Sequence, residues 1–228
     1  GEMQVIRMGD FVGVRYNIKS ANDDFEIYNI MTDPQQANNL AARAGFQKMQ
    51  LQMKAQVLQN RSIEKEAKRP YDIAPIPATN VSAKIKNGLQ WNFYKGDFPY
   101  VPSEYGLTKS GNGISKVADG KTKKENGLIV YNGFIKISND GEYSFSLQAN
   151  GKVFLRLHDA NVLDADFGYK PGDELFKTVK LKEGFHPITI YYLQNGNSDS
   201  GLTLKWKSSE AGWKTISAEY FYHYSDKK

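Results

Sequence analysis

Residues 126–166 read NGLIVYNGFIKISNDGEYSFSLQANGKVFLRLHDANVLDAD, and their alternation decides the fold. Glu142, Ser144, Ser146 and Gln148 fall on one side of the run, and Tyr143, Phe145, Leu147 and Ala149 on the other. A strict period of two predicts a strand with one buried and one wet face. The next run repeats the pattern, with Val153, Leu155 and Leu157 set against Phe154, Arg156 and His158. Asn150-Gly151 separates the two runs. Asn-Gly tolerates the positive φ angles of a tight hairpin turn, so the runs are expected to pair antiparallel. Upstream, residues 128–137 make a third strand, closed by Asn139-Asp140-Gly141. Three strands joined by tight turns predict a meander whose apolar face needs a second layer.

Working outward, residues 176–181, 187–193, 202–206 and 216–222 alternate as further strands. Six Asn-Gly dipeptides punctuate the chain from Asn87 onward and none precedes it, which sets the second part of the chain apart from the first. In the first part, residues 4–8 and 11–18 alternate about a Gly9-Asp10 turn and form a hairpin. Residues 25–30 are a short third strand, ended by Asp33-Pro34 because proline removes a ladder donor. From Gly45 the period changes: Phe46, Met49, Met53 and Val57 recur at three and four residues, the stripe of an amphipathic helix. The charge run at 64–68 reads as a solvated helix end. Pro70, Pro75 and Pro77 make residues 69–79 a semi-rigid linker. The protein is therefore expected to be mainly β. A small α+β subdomain, an antiparallel sheet plus one helix, spans 1–68, and an all-antiparallel β-sandwich or barrel spans 80–228.

The 228 residues suffice for one large or two small domains, and an apolar content of 40% sustains a packed core. The net charge of +5 suits a polyanionic partner but is too mild to demand nucleic acid. There is no cysteine, which excludes disulfides, thiol catalysis and thiolate metal sites. No apolar run has the length of a membrane span or a signal peptide. Gly1 runs straight into a strand, so it reads as a scar, and the natural chain is expected to continue upstream.

Several spaced features agree on a family. Gly133 and Phe134, the run Asp140-Gly141-Glu142-Tyr143-Ser144-Phe145, Asn150-Gly151 and Leu163-Asp164-Ala165-Asp166 together resemble the protective-antigen domain family over about residues 80–224. The resemblance implies a β-sandwich of protective-antigen type, a module of adhesins and carbohydrate enzymes, with carbohydrate as its partner. The first part resembles a different family. Arg7-Met8-Gly9-Asp10-Phe11, then Phe25-Glu26-Ile27-Tyr28-Asn29-Ile30, Asp33-Pro34 and Asn38-Asn39-Leu40-Ala41-Ala42 resemble the C-terminal end of the type I, formylglycine-dependent sulfatases over residues 3–67. Phe11 and Val12 stand where that family often has Trp or Tyr and Lys. This second resemblance implies an appendage to an upstream sulfatase catalytic domain, a bacterial parent enzyme that is secreted or periplasmic, and a sulfated glycan as the ligand class.

The sulfatase nucleophile needs a Cys/Ser-x-Pro-Ser-x-Arg motif, and no Ser here is followed two residues later by Pro. No catalytic residue, metal ligand or cofactor is expected in this chain. His158, His186 and His223 are not spaced as a metal pair and read as surface or strand histidines. In calcium-dependent lectins of the protective-antigen family two adjacent aspartates precede the Gly of the central loop. Here that loop is Ala149-Asn150-Gly151-Lys152, without either carboxylate and with an added cation, so calcium is not expected there. Tyr100 and Tyr105, beside Pro99, Pro102 and Gly106, are the aromatics of the 91–105 stretch expected to be exposed as a platform for sugar rings. Asp159, Asp164 and Asp166 around one turn, and Asn195, Asn197 and Asp199 around another, either cap their own backbone or bind sugar hydroxyls or an ion. The lysines of the 116–124 loop read as a solvated loop that can meet a sulfated glycan. The function expected is non-catalytic binding or positioning of carbohydrate. The alternative is a structural or protein-interaction module without glycan affinity.

Overall fold

The structure, a computed structural model, describes residues 2–61, 69–196, 201–209 and 211–225. The chain divides into two compact units, Gly1–Pro77 and Ala78–Lys228. Among the described residues no helix is long and apolar enough to cross a membrane.

In the first unit, β1 (Met3–Met8) and β2 (Phe11–Tyr16) form a hairpin, and β3 (Glu26–Asn29) pairs with β2 to complete a three-stranded antiparallel sheet. The helix α1 (Gln47–Gln59) follows. Its methionine stripe fills the core: Met53 is fully buried with Ile6, Phe25 and Ile27, and Phe46, Met49 and Val57 pack at the edge. Gln50 fixes the helix to the sheet. Its side-chain amide donates to the Phe25 carbonyl at 2.5 Å and accepts the Phe25 N–H at 3.0 Å. The charge run at 64–68 lies outside the described residues. The stretch expected as a linker is more than a spacer. Pro70–Ile73 is a 3-10 turn, Tyr71 and Ile76 are buried, and the Arg61 guanidinium lies 4.5 Å from the centre of the Tyr71 ring. The prolines shape a turn that tucks two large apolar side chains out of water.

The second unit has two antiparallel sheets. The larger contains β4 (Ile85–Asn87), β5 (Leu89–Lys95), β6 (Gly111–Ser115), β7 (Asn126–Ile137), β9 (Lys152–Leu157), β10 (Ala160–Ala165), β12 (Gly184–Asn195) and β15 (Phe221–Tyr224). The smaller has the order β11 (Glu174–Leu181), β8 (Gly141–Ala149), β13 (Leu202–Ser208), β14 (Lys214–Thr215). β7 is the spine of the larger sheet. β12 pairs along its whole length, while its other edge is shared by β5 and then β15. Gly133 sits at that handover, where a Cβ would stand 2.3 Å from the Tyr222 carbonyl oxygen, so only glycine admits both partners. The buried series Tyr143, Phe145, Leu147 and Ala149 of β8 and Val153, Leu155 and Leu157 of β9 are the inner faces of the two sheets.

The expected meander is therefore not formed. β8 pairs with β11 and β13, whereas β9 pairs with β10 and β12. Asn150-Gly151 carries the chain from one sheet to the other. Neither residue adopts the positive φ that the hairpin turn requires. The Asn139-Asp140 turn crosses between sheets in the same way, and Asp140 ties it to the crossing between β11 and β12 by accepting the Glu183 N–H at 2.7 Å and the Lys182 ammonium at 2.6 Å. An apolar strand face is covered as well by a facing sheet as by a continuous one, and alternation alone does not separate the two.

The hairpin that does form joins β9 to β10 through His158, at φ 52. Its ring meets His186, which is fully buried rather than at the surface. His186 Nε2 lies 2.8 Å from the Lys182 carbonyl oxygen and donates to it, leaving Nδ1 to accept from His158 Nε2 at 2.9 Å. The third histidine, His223, is also buried, with Nδ1 3.2 Å from the Gly88 carbonyl oxygen. Burial, and then the facing His186 ring, hold His158 down at about 3, and burial pushes His186 down as well.

Two outcomes follow for stability. Both histidines titrate lower in the folded state than in the unfolded chain, near 6.5. Their contribution is present above that pH and is lost as pH falls from about 6.5 towards 3. Thermal melts should show a loss on the order of 1–2 kcal/mol between pH 7 and 5. His158→Gln, whose amide can still donate to His186, should flatten that slope, and an unchanged slope would contradict the assignment. In the first unit, Gln50→Leu should cost about 1–3 kcal/mol, because the Phe25 N–H and carbonyl stay buried without partners. Urea unfolding of the variant measures it.

Candidate functional site

The connection between β5 and β6, residues 96–110, crosses the outer face of the larger sheet. β7 turns Leu128 and Val130 to that face, and these two side chains would be wet if the sheet were bare. They are instead buried with Tyr94 and Leu193 in a cluster that Phe98, Val101, Leu107 and Tyr191 complete. The apolar residues of the crossing segment thus set its height above the sheet.

One side chain fixes its position. Lys152, the first residue of β9, donates from its ammonium to the Pro99 carbonyl at 2.6 Å, stands 3.2 Å from Asp166 Oδ1 and lies 4.1 Å from the centre of the Tyr100 ring. Asp166 Oδ2 accepts the Val101 N–H at 3.2 Å. Lys152 and Asp166 therefore grip three consecutive residues of the loop from below. Gly151 makes this possible, because it passes so close to β12 that a Cβ would stand 2.2 Å from the Leu193 carbonyl oxygen. Tyr169 supports the same corner from the other side: its hydroxyl accepts the Ala149 N–H at 3.0 Å and donates to the Asp173 carbonyl at 2.7 Å.

A pocket of about 440 Å³ opens beside this corner. Phe98, Pro99, Tyr169, Pro171 and Leu193 give it apolar walls, and Asp97, Asn126, Asn150 and Asn195 bring amide and carboxylate groups to its rim. Asn126 and Asn195 are direct cross-strand partners, and the Asn126 amide donates to Asp97 Oδ1 at 2.5 Å. A stacking wall with paired amides and a carboxylate suits a polyhydroxylated ligand. Among the described residues no three His, Cys, Asp or Glu side chains cluster as metal ligands. At the Asn150-Gly151 crossing the Asp166 carboxylate is already paired with the Lys152 ammonium.

The candidate residues read from the sequence fall in different surroundings. Asn195 lines this pocket. Tyr105 is 95% exposed and lines a second hollow on the far side of the loop, while Tyr100, 50% exposed, is spent largely on Lys152 and on Phe167, 6.1 Å away. Asp166 is buried and ion-paired, and Asp164 is engaged locally, accepting the Asp166 N–H at 3.2 Å and the Asn161 amide at 3.4 Å. Asn197 and Asp199 lie outside the described residues. The 116–124 loop is anchored rather than fully solvated. Ala118 is buried, and Lys123 lies over Trp91 and Phe93 at 6.0 and 5.8 Å, whereas Lys116, Lys121 and Lys124 are exposed. Asp97, Asn126 and Tyr169 were not singled out. Asn126 sits in an Asn-Gly dipeptide that reads as turn punctuation, and Tyr169 is 20 residues from the backbone that it holds.

Removing the grip has a measurable cost. Lys152→Met leaves a largely buried carboxylate without its cation, and should destabilise the second unit by about 1–3 kcal/mol, less than for a fully buried pair because Lys152 is partly solvated. The melting temperature of the variant reads this directly, and added calcium should not restore it.

The model of the PA14 domain family matches residues 85–220, more than half of the chain. No curated protein matches. Among solved structures, a PA14 sugar-binding domain from an RTX adhesin superposes with a TM-score of 0.51 at 11% identity, over 60% of this chain and 98% of that one. An anti-sigma factor domain-containing protein gives a TM-score of 0.51 at 19% identity, over 64% of this chain and half of its own length. The epithelial adhesin 6 A domain of Candida glabrata, solved with Galβ1-3GlcNAc, gives 0.48 at 17% identity, over 65% of this chain and 92% of that one. At these identities the two likenesses at 0.51 speak for the fold alone, and the family match over the β-sandwich shows that the chain belongs to the PA14 domain family.

Proposed function

We propose that the second unit binds carbohydrate in the pocket at the Asn150-Gly151 crossing, and that the chain serves as a non-catalytic, carbohydrate-positioning part of a larger enzyme. The observation that carries the reading is the pocket itself. Apolar walls from Phe98 and Tyr169 face Asp97, Asn126 and Asn195, which are groups that pair with vicinal hydroxyls. Membership of the PA14 family supports it, as does the sugar-binding description of the adhesin domain that shares the fold. The larger enzyme is a sulfatase. Support for that part comes from the sequence likeness of residues 3–67, and within residues 3–59 the structure has a three-stranded antiparallel sheet with one helix against it. A secreted or periplasmic setting, and a sulfated glycan as the ligand, belong to the same proposal. The exposed Lys116, Lys121 and Lys124 give a sulfated ligand a cationic surface.

A glycan array carrying neutral and sulfated sugars tests the reading on the intact chain. Binding is expected, and titration calorimetry on the best ligand should show at least about a tenfold loss for Asp97→Ala and for Asn195→Ala, the scale of one hydrogen bond to a charged or well-placed polar group. A blank array, or variants that bind as tightly as the parent, would overturn it.

A further inference from the structure

On the far side of the loop, a second hollow of about 510 Å³ lies between residues 101–105 and the outer faces of β9 and β12. Phe154, Arg156 and Tyr191 form its floor, and Glu104 and Tyr105 its wall. Arg156 is unusual among the described charged groups here. Its guanidinium rests 5.4 Å from the centre of the Tyr191 ring, its Nε is buried without a hydrogen-bond partner, and no carboxylate lies within ion-pair distance of it among the described residues. A guanidinium resting beside an aromatic ring on a strand of the sheet presents its remaining N–H groups in a fixed fork, which favours bidentate capture of a planar or tetrahedral anion.

The sheet extends the hollow. Gln90 of β5 is directly opposite Asn132 of β7, Asn132 is opposite Thr189 of β12, Thr189 is opposite Arg156 of β9, and Arg156 is opposite Asn161 of β10. Residues in register across antiparallel strands point to one face, so the outer face carries an unbroken polar row of five side chains, all half-buried. At about 4.8 Å per strand the row runs roughly 19 Å. The neighbouring row holds Tyr191 and Phe154, also in direct register. Amides and a hydroxyl in line, bordered by aromatic rings and with a cation one strand from the end, form a binding surface matched to a chain of hydroxyl-bearing rings with an acidic substituent.

The geometry points to a second binding site on the PA14 unit, separate from the pocket at the crossing, in which Arg156 takes the carboxylate or sulfate of an acidic oligosaccharide lying along the Gln90–Asn132–Thr189–Arg156–Asn161 row. The nearby carboxylates are engaged elsewhere: Glu104, in the wall of the hollow, accepts the Tyr94 hydroxyl at 3.0 Å, and Asp164 accepts from Asn161 and Asp166. An acidic group carried on a body that also covers the aromatic floor and the polar row gains contacts that a small free anion does not.

The test uses the intact ¹⁵N-labelled chain, titrated with trigalacturonate, with a heparin-derived sulfated disaccharide, with neutral maltotriose and with inorganic sulfate. The buried Arg156 Nε–H should be visible and should shift with at least one acidic saccharide. Maltotriose and inorganic sulfate should bind at least tenfold more weakly. The stronger acidic ligand tells carboxylate from sulfate. Arg156→Gln should lose at least tenfold in affinity for that ligand and keep its melting temperature, whereas Asp97→Ala should leave it unchanged. That contrast separates this site from the pocket at the crossing. Absence of an Arg156 Nε shift with both acidic saccharides, full binding by Arg156→Gln, or equal binding of inorganic sulfate alone would overturn the proposal.

Discussion

The grip of Lys152 on residues 99–101 is the contact on which the binding face of the second unit depends. The chain leaves the small sheet at Ala149, passes β12 at Gly151 with no room for a side chain, and enters the large sheet at Lys152. A cation delivered at that point meets the Pro99 carbonyl, the Tyr100 ring and the Asp166 carboxylate at once. Asp166 comes from the end of the next hairpin and returns a second oxygen to the Val101 N–H. The loop, the end of β10 and the start of β9 are thus joined at one ammonium group. Both hollows beside it owe a wall to the loop that it fixes.

The topology explains why this corner exists. Between β7 and β12 the chain changes sheets four times, at Asn139-Asp140, at Asn150-Gly151, between β10 and β11 and between β11 and β12, while the apolar strand faces meet in the middle. Crossing loops leave backbone groups that the sheets do not satisfy. Side chains answer for many of them: Asp140 for Glu183, Tyr169 for Ala149, and Gln194 for the carbonyls of Lys123 and Glu125 at 2.9 and 2.7 Å. These same side chains make the crossings rigid, and a rigid crossing is a good place to hold a ligand because little entropy is lost on binding.

Much of this was legible in the sequence, and the limits are physical. Period-two alternation located β7, β8 and β9 because a half-buried strand has no other way to hide its apolar side chains, and the spacing of Met49, Met53 and Val57 located the helix for the same reason. Strand partners were not legible, since Tyr143 or Val153 is equally well buried by a neighbour in its own sheet or by the sheet opposite. Asn150-Gly151 marked a sharp change of direction but not which direction. Exposure of Tyr105 followed from the proline and glycine around it, whereas Asp166 looked like any turn aspartate until Lys152 was brought beneath it. His158 and His186, 28 residues apart, had no spacing signal, and neither did the stacking of Arg156 on Tyr191, because both contacts are made only by strand register.

If the Lys152 grip organises the binding face, its loss should loosen the loop before it loosens the sandwich. Hydrogen exchange at the Val101 amide, which is bonded to Asp166, measures this in the intact chain. In Lys152→Met the Val101 amide and its neighbours across 97–105 should exchange at least about tenfold faster, while amides at the centre of β7 and β12 keep the rates of the parent. Unchanged exchange at Val101, or a uniform rise across both sheets, would contradict the account.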